Sequence, residues 1–95
     1  MAWASAPERP LRSPLFEEAD MPRYFFDIAD GERFPDLQGS EWADIAAARL
    51  EAVRFAAEVL KEMPERFWNC EQWTMTVSDW QRETLFTLKF LAETA

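Results

Sequence analysis

PRYFFDIADGERFPDLQGS, residues 22–40, is the stretch whose reading decides the fold. From Pro22 to Ala29 the side chains alternate, with Tyr24, Phe26 and Ile28 on one face and Arg23, Phe25 and Asp27 on the other, the pattern of a half-buried strand. Asp30 and Gly31 then supply a pair that tolerates positive φ in a tight turn. Glu32 to Pro35 return as a shorter strand, and the terminal proline predicts that this strand lies at a sheet edge. Asp36, Gln38, Gly39 and Ser40 read as a loop.

Beyond this hairpin, Asp44 can cap a helix that runs to about Met63 and is stopped by Pro64. Ile45, Ala48, Ala52, Phe55, Ala56 and Val59 form its inward stripe. A polar stripe holds Glu51, Arg54, Glu58, Lys61 and Glu62. Along a flank, Ala46, Leu50, Val53, Ala57 and Leu60 repeat at three-and-four spacing, more apolar surface than one sheet contact requires. Phe67 to Glu71 are expected to connect to a third strand, in which Trp73, Met75 and Val77 share a face opposite Thr74 and Thr76. Ser78 to Arg82 turn the chain. Thr84 to Leu91 come back with Phe86, Leu88 and Phe90 opposed by Leu85, Thr87 and Lys89. The expected fold is α+β: a two-layer ββαββ unit, with a four-stranded antiparallel sheet and one long helix across one face.

The domain is expected to span residues 21–95. Residues 1–20 carry Pro7, Pro10 and Pro14 without periodicity, and read either as an N-terminal arm or as an extension preceding a natural start at Met21. A chain of 95 residues buries only about 60–65% of its unfolded surface, so dense aromatic packing or a second subunit is expected to support it.

Composition narrows the function classes. Cys70 is the single cysteine, which forbids an internal disulfide and suits a reducing cytoplasm. Histidine is absent, which removes the usual zinc and iron ligand sets and the commonest general base. The net charge of −8 repels phosphate backbones and anionic lipid, so neither nucleic acid nor a membrane surface is an expected partner, whereas a basic protein is. No run approaches the roughly 18 apolar residues of a membrane span. With Gly31 and Gly39 the only glycines, a glycine-rich phosphate loop is excluded. The acids of the first hairpin, Asp27, Asp30, Glu32 and Asp36, read either as solvated turn residues or as a site for a hard cation such as calcium. No catalytic residue, cofactor site or metal ligand set is therefore assigned, and an enzyme is not expected.

What remains is protein contact. Trp80 falls at the last turn, where it either folds over the open sheet face to cover Phe25 and Leu85 or meets a partner. Trp42 and Trp68 are expected to close the ends of the core. The open face, with Phe25, Thr74, Thr76, Leu85 and Thr87 beside Arg23 and Lys89, is less polar than a face turned to water. Together with Leu50, Val53 and Leu60 it offers two surfaces for self-association. Phe25, Leu50, Val53, Leu60, Trp80 and Leu85 are thus the expected partner surface of a homodimer.

Two resemblances accompany this reading. Met21, Pro22, Arg23, Tyr24, Phe25 and Phe26, followed by Asp30, Gly31, Asp36 and Gly39 and by Asp44, Ala47, Ala48, Arg49 and Ala52, resemble a family of short bacterial domains of unknown function over residues 21–91. That resemblance implies a compact ββαββ domain and brings no established activity. Phe34, Pro35, Asp36, Leu37 and Gly39 before an alanine-rich helix are also similar to HicB-type antitoxins. These are acidic proteins that neutralise a small basic ribonuclease and usually carry a further strand between motif and helix, for which the spacing here leaves little room.

Overall fold

In the computed structural model, residues 21–94 are described. The arm expected over residues 1–20 lies outside them. The first strand, β1 (Arg23–Ala29), follows its alternation: Tyr24 and Phe26 are buried, Ile28 packs against them, and Phe25 and Asp27 face the other way. Gly31, at φ 101°, turns the chain. The return strand β2 is only Arg33–Phe34, paired with Ile28 and Ala29. It stops early because Pro35 has no N–H to donate, and the next inward group on this edge, the Phe26 N–H, is taken by the Asp36 carboxylate at 3.0 Å.

The expected loop holds one more strand. Gly39, at φ 72°, brings the chain back against β1, and β3 (Ser40–Glu41) pairs with Tyr24 and Arg23. A Cβ at Gly39 would stand 2.8 Å from both the Phe25 ring and the Tyr24 carbonyl, so this approach requires glycine. The sheet thus has five strands, in the order β2-β1-β4-β5 with β3 on the same side of β1 as β2. The expected four-stranded layout gains this member.

Helix α1 (Ile45–Glu62) starts at Asp44, whose carboxylate accepts from the Ala47 N–H at 2.9 Å. Pro64 both ends α1 and opens α2 (Pro64–Asn69), where a missing N–H costs nothing at the first helical position. The expected connector is therefore partly helical. β4 (Trp73–Ser78) runs antiparallel to β1, and β5 (Thr84–Phe90) antiparallel to β4, with an extra residue in β5 at Leu85 where the register shifts beside Val77 and Ser78.

The core lies between the sheet and α1. Tyr24, Phe26, Trp73, Met75 and Val77 meet Ala48, Ala52 and Ala56. Three buried alanines let the helix backbone settle close to an aromatic floor, and Phe26 and Trp73 meet Phe55 and Phe90 edge-to-face at 6.4 and 5.5 Å. Each large side chain so buried contributes about 1.5–3 kcal/mol.

Four expectations change here. Ile45, read as part of the inward stripe, is exposed at the first turn of α1 and stands outside the core. Glu51, read as part of the polar stripe, is 5% exposed, because its position borders Ala48 and Ala52 on the helix surface. Leu60 leans onto the core. Trp68 is exposed and stacks edge-on against Phe67, so Trp42 alone of the two closes a core end.

Candidate functional site

The outward face of α1 departs from a water-facing surface. At about 100° per residue, Ala46, Leu50, Val53 and Ala57 fall on the side opposite Ala48, Ala52 and Ala56. Leu50 is 61% and Val53 57% exposed, with Ala46 and Ala57 exposed above and below them. A helix apolar on both sides has a second surface to bury. Arg49 borders this stripe on one flank, Arg54 and Lys61 on the other.

The sheet's open face is less available than its sequence implies. Asp79 organises the last turn, its carboxylate accepting from the N–H groups of Gln81 and Glu83, each at 2.9 Å. The chain leaves that turn through Arg82 at φ 68°, a left-handed conformation that suits glycine or asparagine. The Arg82 guanidinium then lies 3.8 Å from the centroid of Phe25, donates to Asp27 at 3.3 Å and to the Asp36 carbonyl at 3.1 Å. Arg82, not Trp80, covers Phe25. Trp80 is 60% exposed at the tip, Leu85 is 38% exposed, and Thr76 and Thr87 share a hydroxyl contact at 3.5 Å across β4 and β5. Ser78, buried at the end of β4, has no partner for its hydroxyl among the described residues.

The first-hairpin acids are divided between two arginines. Asp27 and Asp36 belong to the Arg82 group, where the Asp36 N–H donates to Asp27 at 2.6 Å and the Asp36 carboxylate also accepts from the Gly39 N–H at 2.9 Å. Asp30 belongs to Arg66 of α2, which holds it through Nε at 2.7 Å and a second nitrogen at 2.9 Å, and reaches Glu32 at 3.3 Å while lying over Phe34. Of the four carboxylates that could have faced a cation, Asp27, Asp30 and Glu32 thus face guanidinium groups, and Asp36 is taken by the backbone N–H groups of Phe26 and Gly39. Among the described residues no three acidic or sulfur ligands converge.

Burial and pairing set the titrations. The Arg66 hydrogen bonds hold the Asp30 carboxyl below the usual carboxylate range against the opposing effect of burial, and Asp30 in turn holds Arg66 protonated. Burial pushes the Glu51 carboxyl up, only partly offset by Arg54 at 3.7 Å. Tyr24 is pushed up by burial and then by the negative charges of Asp44 and Asp79.

Of the six residues expected at a partner surface, the structure brings Leu50 and Val53 together on α1. Phe25 lies across the sheet on the other side of the molecule, Leu85 sits at the bulge of β5, Trp80 is exposed at the turn, and Leu60 belongs with the core. The two arginines that organise the surface, Arg66 and Arg82, are absent from the expected set. A lone arginine four residues before Cys70 carries no sequence signal for a partner at Asp30. Arg82 carries one faint signal, its place three residues after the turn-forming Asp79.

Comparison with known proteins returns a family match. Its model, described as a domain of unknown function (DUF6894), matches residues 23–91. No curated protein and no solved structure matches the chain.

Proposed function

Because the chain belongs to the DUF6894 family of domains of unknown function, whose matched span 23–91 takes in both surfaces just described, we propose that it is a non-enzymatic protein-interaction domain that associates with a second copy of itself through the outward face of α1. The observation that carries this is the pairing of Leu50 and Val53, more than half exposed in the middle of an 18-residue helix whose opposite side is already buried. Ala46 and Ala57 at the ends of the stripe let two helix backbones approach closely, the arrangement that gives ridges-into-grooves packing. The non-enzymatic part rests on chemistry the chain does not carry and on groups already engaged: histidine is absent from the sequence, and Asp27, Asp30, Arg66 and Arg82 each hold the fold together. No helix among the described residues is long and apolar enough to cross a membrane, and the free Cys70 thiol, donating to the Phe67 carbonyl, suits a reducing cytoplasm.

The test is sedimentation of the full chain against Leu50→Glu/Val53→Glu at micromolar concentration. A smaller assembly in the variant with unchanged circular dichroism is expected. Equal masses for the two would overturn the reading.

One observation favours a second reading. β3 stands between the Phe34–Gly39 motif and α1, where HicB-type antitoxins carry a strand, and the chain is strongly acidic. On that reading the native partner is a small basic protein, and purification from the native host would recover the two together.

A further inference from the structure

The two edges of the sheet are treated differently. Along the outer edge of β1, β2 takes Ile28 and Ala29, β3 takes Arg23 and Tyr24, and the Asp36 carboxylate takes the Phe26 N–H between them. That edge is finished in two-residue strands and carboxylates, the means by which sheets avoid further pairing. The other edge, β5, is seven residues long and, among the described residues, pairs with β4 alone. It has no proline and no acid, and Lys89 is its one charge.

We infer that β5 pairs antiparallel with β5 of a second copy about a twofold axis at Leu88, joining two sheets edge to edge. The strand is self-complementary in this register and the side chains decide it. On the core side Phe86 lies opposite the second copy's Phe90, and Leu88 opposite Leu88; all three are only half-buried in one copy. Aromatic and branched aliphatic pairs directly opposite one another are the stabilising cross-strand contacts. On the open side Thr87 meets Lys89, so no like charges face each other within the strand. Leu85, at the bulge and 38% exposed, meets Leu91, which is 51% exposed just past the strand end. The bulge sits at the turn end and leaves Phe86–Phe90 regular. A twofold at Thr87 would instead set Leu85 against Lys89 and leave Leu91 outside.

This surface is independent of the outward face of α1. A chain with two self-complementary surfaces forms closed tetramers or continuing arrays, whereas either surface alone stops at a dimer. Sedimentation equilibrium of the full chain therefore separates the two. Thr87→Lys places lysine opposite Lys89 twice across the axis on the exposed side of the strand. It is expected to cut the wild-type assembly to a dimer, and combined with Leu50→Glu/Val53→Glu to a monomer. Leu91→Glu, outside β5 and free of its ladder, gives the same reduction if Thr87→Lys alters the circular dichroism. If Leu50→Glu/Val53→Glu alone leaves the wild-type mass while Thr87→Lys halves it, the α1 reading fails and the β5 pairing stands. Wild-type mass in both Thr87→Lys and Leu91→Glu, or a monomeric wild type, overturns the pairing.

Discussion

Replacing Arg82 with glycine and with alanine separates two opposed effects at one residue. Arg82 sits at φ 68°, where a side chain costs about 1–2 kcal/mol relative to glycine. Against that cost its guanidinium makes three contacts. The exposed ion pair with Asp27 at 3.3 Å contributes about 0.2–1 kcal/mol. Stacking on Phe25 at 3.8 Å adds about 0.5–1 kcal/mol, and the bond to the Asp36 carbonyl about 1 kcal/mol. Arg82→Ala loses the contacts and keeps the backbone cost, so it is expected to destabilise by about 2 kcal/mol. Arg82→Gly loses the contacts and relieves the backbone, leaving it about 1 kcal/mol above the alanine variant. With a urea slope of about 1 kcal/mol per molar for a domain of this size, the two midpoints should stand about 1 M apart, followed by tryptophan fluorescence. Alanine equal to or more stable than glycine would refute the backbone argument. An alanine variant as stable as wild type would refute the contribution of the guanidinium.

Two carboxyls give opposite pH dependences. Asp30 has a lowered folded value, so its contribution is present above the ordinary carboxylate range near about 3.9 and is lost as pH falls through the lower folded value; Asp30→Asn should cost about 1.5–3 kcal/mol at neutral pH, with the difference closing in acid. Glu51 has a raised value, so wild-type stability falls as pH rises through it, and Glu51→Gln should be the more stable protein at neutral pH; urea midpoints across the acid range check both, and a neutral-pH loss in Glu51→Gln would count against the burial argument. Gly39→Ala, which meets Phe25 and the Tyr24 carbonyl at 2.8 Å, should lose well over about 1 kcal/mol, and Gly31→Ala, with open space around its Cβ, should lose less in the same titration.

Periodicity made the layers legible. Tyr24 and Phe26, and Trp73, Met75 and Val77, alternate as they must to bury one face, and Asp44 caps the helix it precedes. The side-chain contacts between elements were not legible. Asp30 and Arg66 are 36 residues apart, and no spacing rule joins a turn acid to an arginine on a later helix. Glu51 looked solvent-facing because Arg54 and Glu58 follow it at helical spacing, yet it lies beside the buried Ala48 and Ala52 and is buried with them. Trp80 and Arg82 are two residues apart in the same turn. The left-handed backbone at Arg82 aims the arginine across Phe25 and leaves the tryptophan outside, a reversal that composition does not encode.

The Asp30–Arg66 pair also bears on how the molecule opens. It ties the tip of the first hairpin to α2 and so closes a loop that contains β2, β3 and all of α1. Neither the hairpin tip nor α2 can detach without breaking the same two hydrogen bonds and the contact of Arg66 with Phe34. The two segments therefore form one cooperative opening unit, and the chain, which has no internal disulfide, uses a guanidinium and a carboxylate to couple the breathing of its first hairpin tip to that of α2.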